Sequence, residues 1–175
     1  VSDVAKDDAH PRVRLRPLRR EDLDLLFAWE QHPPAVAMAA FTAADPSDRA
    51  PFDAHYRRIM TDPEVTLLAI EVDGSLAGSI GSFTTDGRRE LTYWVDPEQW
   101  GRGIATRAVR LLLDMEPTRP IFARVAAHNL ASRTVLERAG FRRVGEEVSW
   151  ADGVGRDVLE YLYRLDGEAI EAADR

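Results

Sequence analysis

Cysteine is absent from this 175-residue chain, which excludes disulfides, thiolate metal sites and a thiol nucleophile together. Histidine is scarce: His10, His32, His55 and His128 show none of the spacings that gather ligands around zinc, so no metal is expected. No apolar run approaches the ~20 residues that cross a bilayer, and the opening segment VSDVAKDDAHPR has no apolar stretch of the secretory kind. A cytoplasmic protein with no membrane partner is therefore expected. Lysine is reduced to Lys6 among 23 basic residues, and the net charge is −7, the wrong sign for a protein that neutralises phosphates, so no nucleic-acid partner is expected. The arginines of residues 12 to 20 are the one basic cluster, and alternating charges on an edge strand account for them.

What is present suits one ordinary globular domain, with 45% hydrophobic and 30% charged residues. Residues 1 to 11 and 166 to 175 lack apolar periodicity and are expected to be frayed tails around an ordered domain of residues 12 to 165. A short strand from Val13 leads to a helix over residues 20 to 31, which Pro33-Pro34 is expected to stop. The Ala-, Pro- and Asp-rich stretch up to Pro51 has too little periodicity for an element, and a second helix is expected over residues 53 to 60. Residues 65 to 72 and 75 to 83 then read as a hairpin, because Asp73-Gly74 is a strong signal for a primed turn. A strand over 90 to 95 feeds a helix over 104 to 115, whose Ala105, Ala108, Val109 and Leu112 form a buried stripe. A strand at 120 to 127 and a helix at 129 to 140 follow, with Asn129 as N-cap and Gly140 as left-handed C-cap. Two strands around Ala151-Asp152-Gly153 close the chain. The order is α/β, mostly antiparallel, with one parallel pair around the helix that follows WGRG.

Trp100-Gly101-Arg102-Gly103-Ile104-Ala105 lies where a strand hands over to a helix. Unpaired N–H groups at a helix N-terminus, beside glycines that let the backbone approach closely, suit a phosphate or pyrophosphate. Alone this is weak, since glycine-bearing turns are common. The longer segment YWVDPEQWGRGIA, followed a helix and a strand later by Asn129, Ser132 and Gly140-Phe141, resembles the GNAT acyltransferases, in the branch of the ribosomal-protein N-terminal acetyltransferases. Trp100 departs from the usual Gln or Arg at the first position of the loop. The resemblance extends over about Arg12 to Leu165. It implies the GNAT fold: a six- to seven-stranded mixed sheet splayed in the middle and flanked by about four helices. It also implies an N-acetyltransferase that moves an acetyl group from acetyl-CoA to a primary amine by direct attack, as a monomer or homodimer.

On that resemblance CoA lies between strands 90 to 95 and 120 to 127, parted by a bulge, with the pantetheine on backbone near Trp94 and Val95. The pyrophosphate then meets Gly101, Arg102, Gly103, Ile104, Ala105 and Thr106, with Arg102 or Arg107 adding charge or simply being solvated. Asn129 touches the CoA arm, caps its helix, or does both. The Val95 N–H is the implied donor to the oxyanion. Glu90 is a candidate base, or else a solvated carboxylate beside Arg88 and Arg89. Relatives place a tyrosine acid where this chain has Leu136; Ser132 is the nearest substitute, although a helix serine often bonds its own backbone. Tyr93, Tyr161 and Tyr163 read as strand packing. The acceptor stays open between a protein N-terminus and a small amine, and a non-catalytic acyl-CoA-binding module is the alternative. Residues 21 to 64 hold nine carboxylates against three arginines, a field that favours a cationic amine, or else merely a solvated surface.

Overall fold

The computed structural model describes residues 11 to 167, so most of the two expected tails lies outside the described residues. Seven strands form one sheet in the order β1-β2-β3-β4-β5-β7-β6. They are β1 (Val13–Pro17), β2 (Thr66–Val72), β3 (Ser75–Thr85), β4 (Arg88–Val95), β5 (Ile121–Ala126), β6 (Arg142–Ala151) and β7 (Arg156–Leu165). The five α-helices among the described residues, one more than expected, are α1 (Leu23–Glu30), α2 (Pro33–Ala39), α3 (Arg49–Ile59), α4 (Ile104–Met115) and α5 (Leu130–Arg138). No helix among the described residues is long and apolar enough to cross a membrane.

Local chemistry explains the elements. The β2–β3 turn has Asp73 at φ 52° and Gly74 at φ 87°, and Asp86 and Gly87 repeat the pattern between β3 and β4. Both turns thus have the two positive φ values of a type I′ hairpin, whose twist matches the strands it joins. Asn129 caps α5 by accepting from the Ser132 N–H at 3.0 Å, and Gly140 follows the helix at φ 94°. Pro33-Pro34 does end α1, but it also starts α2, which the sequence reading missed. Proline suits the first helical turn, where no intrahelical partner awaits its absent N–H. Helix α3 begins earlier than expected, because the Asp48 side chain accepts from the Ala50 N–H and Pro51 falls within the first turn.

The strand pattern then sorts the faces. Leu91, Tyr93 and Val95 of β4 face α4 and α5, in a core that includes Ile80, Ile104, Val109, Leu112, Leu136 and Tyr163. Helices α1 and α3 cover the opposite face of β2 through Leu23, Leu26, Phe52, Tyr56 and Ala69. All neighbouring pairs are antiparallel except β4–β5, which pairs in parallel only at Arg89↔Ile121 and Glu90↔Phe122. Beyond Glu90 the two strands part. No bulge marks that point, contrary to expectation: β4 keeps continuous register with β3, and the register shifts lie between Ile70 and Glu71 and between Arg143 and Gly145. The separation comes from parallel strands diverging after two residue pairs, with the amino ends of α4 and α5 bordering the gap.

Candidate functional site

The gap between β4 and β5 opens into a cavity of about 390 Å³. Trp94, Val95, Gly101, Gly103, Ile104, Ala105, Thr106, Asn129 and Ser132 all line it, so nine of the twelve candidate site residues named from the sequence meet in one place. Arg102 does not line it; its guanidinium donates to the Gln99 side-chain oxygen at 3.0 Å. Arg107 is turned toward the amino end of the domain and donates to the Pro11 carbonyl at 3.1 Å. Glu90 is outside the lining as well.

Helix α4 starts at Gly103, at φ 73° and with no side-chain cap. Its first N–H groups therefore have neither a preceding turn nor a capping oxygen. Gly101 is also left-handed, at φ 77°, and a Cβ added at either glycine would meet no protein atom within 4 Å. An open, uncapped cradle of this kind fits a phosphate or pyrophosphate.

The edge of β4 that faces the gap can be read from its neighbours. The Asp96 N–H bonds the Ala77 carbonyl of β3 at 2.8 Å, and backbone groups alternate sides along a strand. The N–H and C=O of Val95 therefore point into the gap. The Val95 carbonyl accepts from the Trp100 indole at 3.0 Å, which leaves the Val95 N–H as the free donor at this residue. Trp100 thus ties the glycine loop back to the strand, a use for the residue that departs from the family pattern. The Trp94 indole N–H is buried without a hydrogen-bond partner.

Ser132 does not bond its own helix through its hydroxyl. Its Oγ lies 2.6 Å from the Tyr93 hydroxyl, which is also 3.3 Å from the Ser132 carbonyl. Both residues line the cavity, and burial pushes the Tyr93 phenol up to about 12 despite the Ser132 bond. The sequence reading had taken Tyr93 as packing. The alternation in YWV, which turns Tyr93 toward α5 and Trp94 away from it, was the available signal. Leu136, where relatives carry a tyrosine, is fully buried in the core.

On the opposite face of the sheet, Glu90 is buried beside Arg124 at 3.4 Å. Arg124 also meets Glu160 at 3.3 Å and Glu147 at 3.6 Å. Burial raises the Glu160 carboxyl, and the Glu147 and Glu90 charges add to this against Arg124. The acidic excess of residues 21 to 64 is largely engaged elsewhere. Asp22 is held bidentate by Arg16, Asp24 and Asp53 share Arg49, and Asp48 caps α3. Burial raises Glu30, opposed by its bond from Tyr56. The unbalanced negative charge nearest the gap thus sits on the sheet. Helix α2 lines the cavity through Ala35, Met38 and Ala39, and side chains of the β5–α5 loop hold it: His128 Nε2 lies 2.8 Å from the Ala37 carbonyl, and Asn129 donates to the Met38 carbonyl at 3.2 Å. Among the described residues no three His, Asp or Glu side chains converge as metal ligands.

Comparison with known proteins puts names beside this geometry. Residues 12 to 142 match the family model of the acetyltransferase (GNAT) domain. The curated protein "Putative ribosomal N-acetyltransferase YdaF" of Bacillus subtilis strain 168 is 30% identical over 173 residues, covering 90% of this chain and 93% of that protein. Among solved structures, spermidine N-acetyltransferase from Vibrio cholerae, in complex with CoA and spermine, superposes with a TM-score of 0.76 at 19% identity, covering 88% of this chain and 95% of the other. Mycobacterium smegmatis RimJ, in complex with CoA-disulfide, gives 0.74 at 23% identity, covering 91% and 84%.

Proposed function

Because the chain belongs to the GNAT family of acetyltransferases, we propose that it transfers the acetyl group of acetyl-CoA to a cationic amine, entering from the face of the sheet that carries Arg124 and its three carboxylates. It is an acyltransferase with acetyl-CoA as donor. The observation that carries the site assignment is the uncapped, left-handed glycine start of α4 opening on the β4–β5 cavity.

On this reading the N–H groups of Ile104, Ala105 and Thr106, with Gly101 and Gly103, hold the pyrophosphate, and Arg102 approaches it from the rim. Asn129 contacts the CoA arm while capping α5. The Val95 N–H is aimed at the carbonyl oxygen that gains charge as the amine attacks, where a fixed donor in a dry site is worth most. Glu90, beside Arg124, draws off the proton of the attacking ammonium through water. Glu90, Glu147 and Glu160 against Arg124 give this cluster a net negative charge, which favours a cationic over an anionic amine beside it. Both spermidine and the amino terminus of a basic peptide belong to the favoured class. The likeness to YdaF supports the peptide, and the shared fold of the spermidine enzyme is compatible with the small amine.

Two measurements test the proposal. Gly103→Asp places a side chain and a negative charge in the cradle and should weaken acetyl-CoA binding by at least about 100-fold in calorimetry, with the fold retained. Unchanged affinity removes the cradle assignment. CoA release should be fastest with cationic amines and slow as salt is added. Preference for an anionic amine, or indifference to salt, removes the acceptor class, and binding of acetyl-CoA without turnover of any amine favours a binding module.

A further inference from the structure

We infer that Tyr93 is a positioning residue that turns the Ser132 hydroxyl toward the thioester sulfur, so that strand β4 supplies from across the cavity what position 136 of α5 lacks. The inference rests on the proposed placement of the thioester at the β4–β5 gap.

Three observations carry it. The Tyr93 and Ser132 oxygens are 2.6 Å apart, at the short end for hydroxyls, and both residues line the cavity. The Ser132 hydroxyl is not spent on its own helix, whose amino end is satisfied by Asn129 through the Ser132 N–H. Finally, the residue at the usual tyrosine position, Leu136, is packed in the core away from the cavity.

Two hydrogen arrangements are open to the pair. In one, Ser132 donates to Tyr93 and Tyr93 donates to the Ser132 carbonyl at 3.3 Å, so no proton is offered to the cavity. In the other, Tyr93 donates to Ser132 Oγ and frees the Ser132 O–H to point outward. Only the second serves a sulfur. In the transfer the amine nitrogen–carbon bond forms, and the carbon–sulfur bond breaks with its electron pair left on sulfur. The amine's surplus proton leaves toward the acceptor-face carboxylates. The Ser132 O–H then stabilises the thiolate by hydrogen bonding alone. Tyr93 does not protonate it, since a phenol pushed up to about 12 is a far weaker acid than a thiol at ~8.5. High phenol basicity here keeps Tyr93 neutral and fixed as a donor.

The test reads the thiol itself. CoA bound to the wild type is titrated by the ultraviolet absorbance of its thiolate and compared with Tyr93→Phe, Ser132→Ala and the double variant. The thiol bound to the wild type should titrate about one unit below that of free CoA measured alongside. It should move back up by at least about half a unit in each single variant, with no further change in the double. Over the same series kcat should fall about tenfold with KM for acetyl-CoA within twofold, and Ser132→Thr should retain most of the rate. An unshifted thiol in Tyr93→Phe, or an added effect of Tyr93→Phe in the Ser132→Ala background, overturns the inference and assigns Tyr93 to packing. Loss of CoA binding by the wild type overturns the site assignment itself, which calorimetry separates from the former result. Should Tyr93→Phe fail to fold, Ser132→Ala alone decides, because an unshifted thiol there is equally fatal.

Discussion

Arg89 and Glu90 are consecutive residues of β4, and each belongs to an arginine–carboxylate cluster on an opposite face of the sheet, the first buried and the second open to solvent at Arg124 and Glu147. Arg89 meets one carboxylate, Glu116, at 2.8 Å, and Ser82 hydrogen-bonds both partners, also at 2.8 Å. Its remaining N–H groups reach the Glu64 carbonyl at 2.6 Å and Thr66 at 3.3 Å. Charge is balanced one to one, and the cluster ties the carboxyl end of α4 to β3 and β4. Arg124 instead faces three carboxylates, at looser distances of 3.3 to 3.6 Å. A balanced and fully bonded cluster has nothing left to offer a ligand, whereas an unbalanced one retains negative charge that a cation can neutralise. On the proposed reading, the comparison separates a fastening from a receiving surface on the same strand.

The largest expected effect comes from unbalancing the first cluster. Arg89→Met strands the buried Glu116 and should cost about 3 kcal/mol of unfolding free energy, measured by urea denaturation. A cost below about 1 kcal/mol would erase the distinction drawn here. Thinning the second cluster should act on turnover instead. Glu90→Gln should lower the transfer rate roughly 10²-fold, while Glu160→Gln should raise KM for cationic amines about tenfold and leave neutral ones alone. Equal effects on cationic and neutral amines would deny the acceptor face its charge role.

The smallest and sharpest contrast is in pH. Burial alone would raise Glu116, but hydrogen bonds from Thr118, Ser82 and Arg89 outweigh it and hold the carboxyl down to about 2. A folded-state value below the unfolded one gives stability that is full above about 4.5 and is lost as pH falls toward about 2. Glu160 has the opposite sign. Its folded value is raised, so its favourable contribution exists at low pH and is gone once pH rises through that value. Glu116→Gln should therefore lower Tm at neutral pH, and Glu160→Gln should leave it unchanged or raise it. Shifts of the same sign in both variants would show that the two clusters do not differ electrostatically.

How much of this was legible in the sequence follows the range of the interactions. The Asp73-Gly74 hairpin, the helix over 104 to 115 and the Asn129 cap depend on neighbours in the chain and were read in advance, and the parallel pair followed from the helix that crosses between its strands. Helix α2 was not, because Pro33-Pro34 marks a stop and a start alike and only tertiary contacts from His128 and Asn129 decide that a helix follows. The glycine cradle at the start of α4 was legible for the same reason, since Gly101 to Thr106 are six consecutive residues. The charge reading was local as well: it rested on residues 21 to 64, where Asp22 is held by Arg16 and Asp24 and Asp53 by Arg49, while a second acidic group joins residues 90, 124, 147 and 160 across four strands and has no local signature. Tyr93 and Ser132 are 39 residues apart, and no local pattern announces their contact.

Helix α2 hangs from the β5–α5 loop, since Asn129 caps α5 with its carbonyl oxygen and holds Met38 with its amide nitrogen. On the proposed reading, a donor that fixes Asn129 also fixes α2, which lines the cavity. Linkage makes that effect mutual: a donor that improves acceptor affinity by some factor has its own affinity improved by the same factor. On the proposed reading the two ligands should therefore strengthen each other's binding, whichever is loaded first.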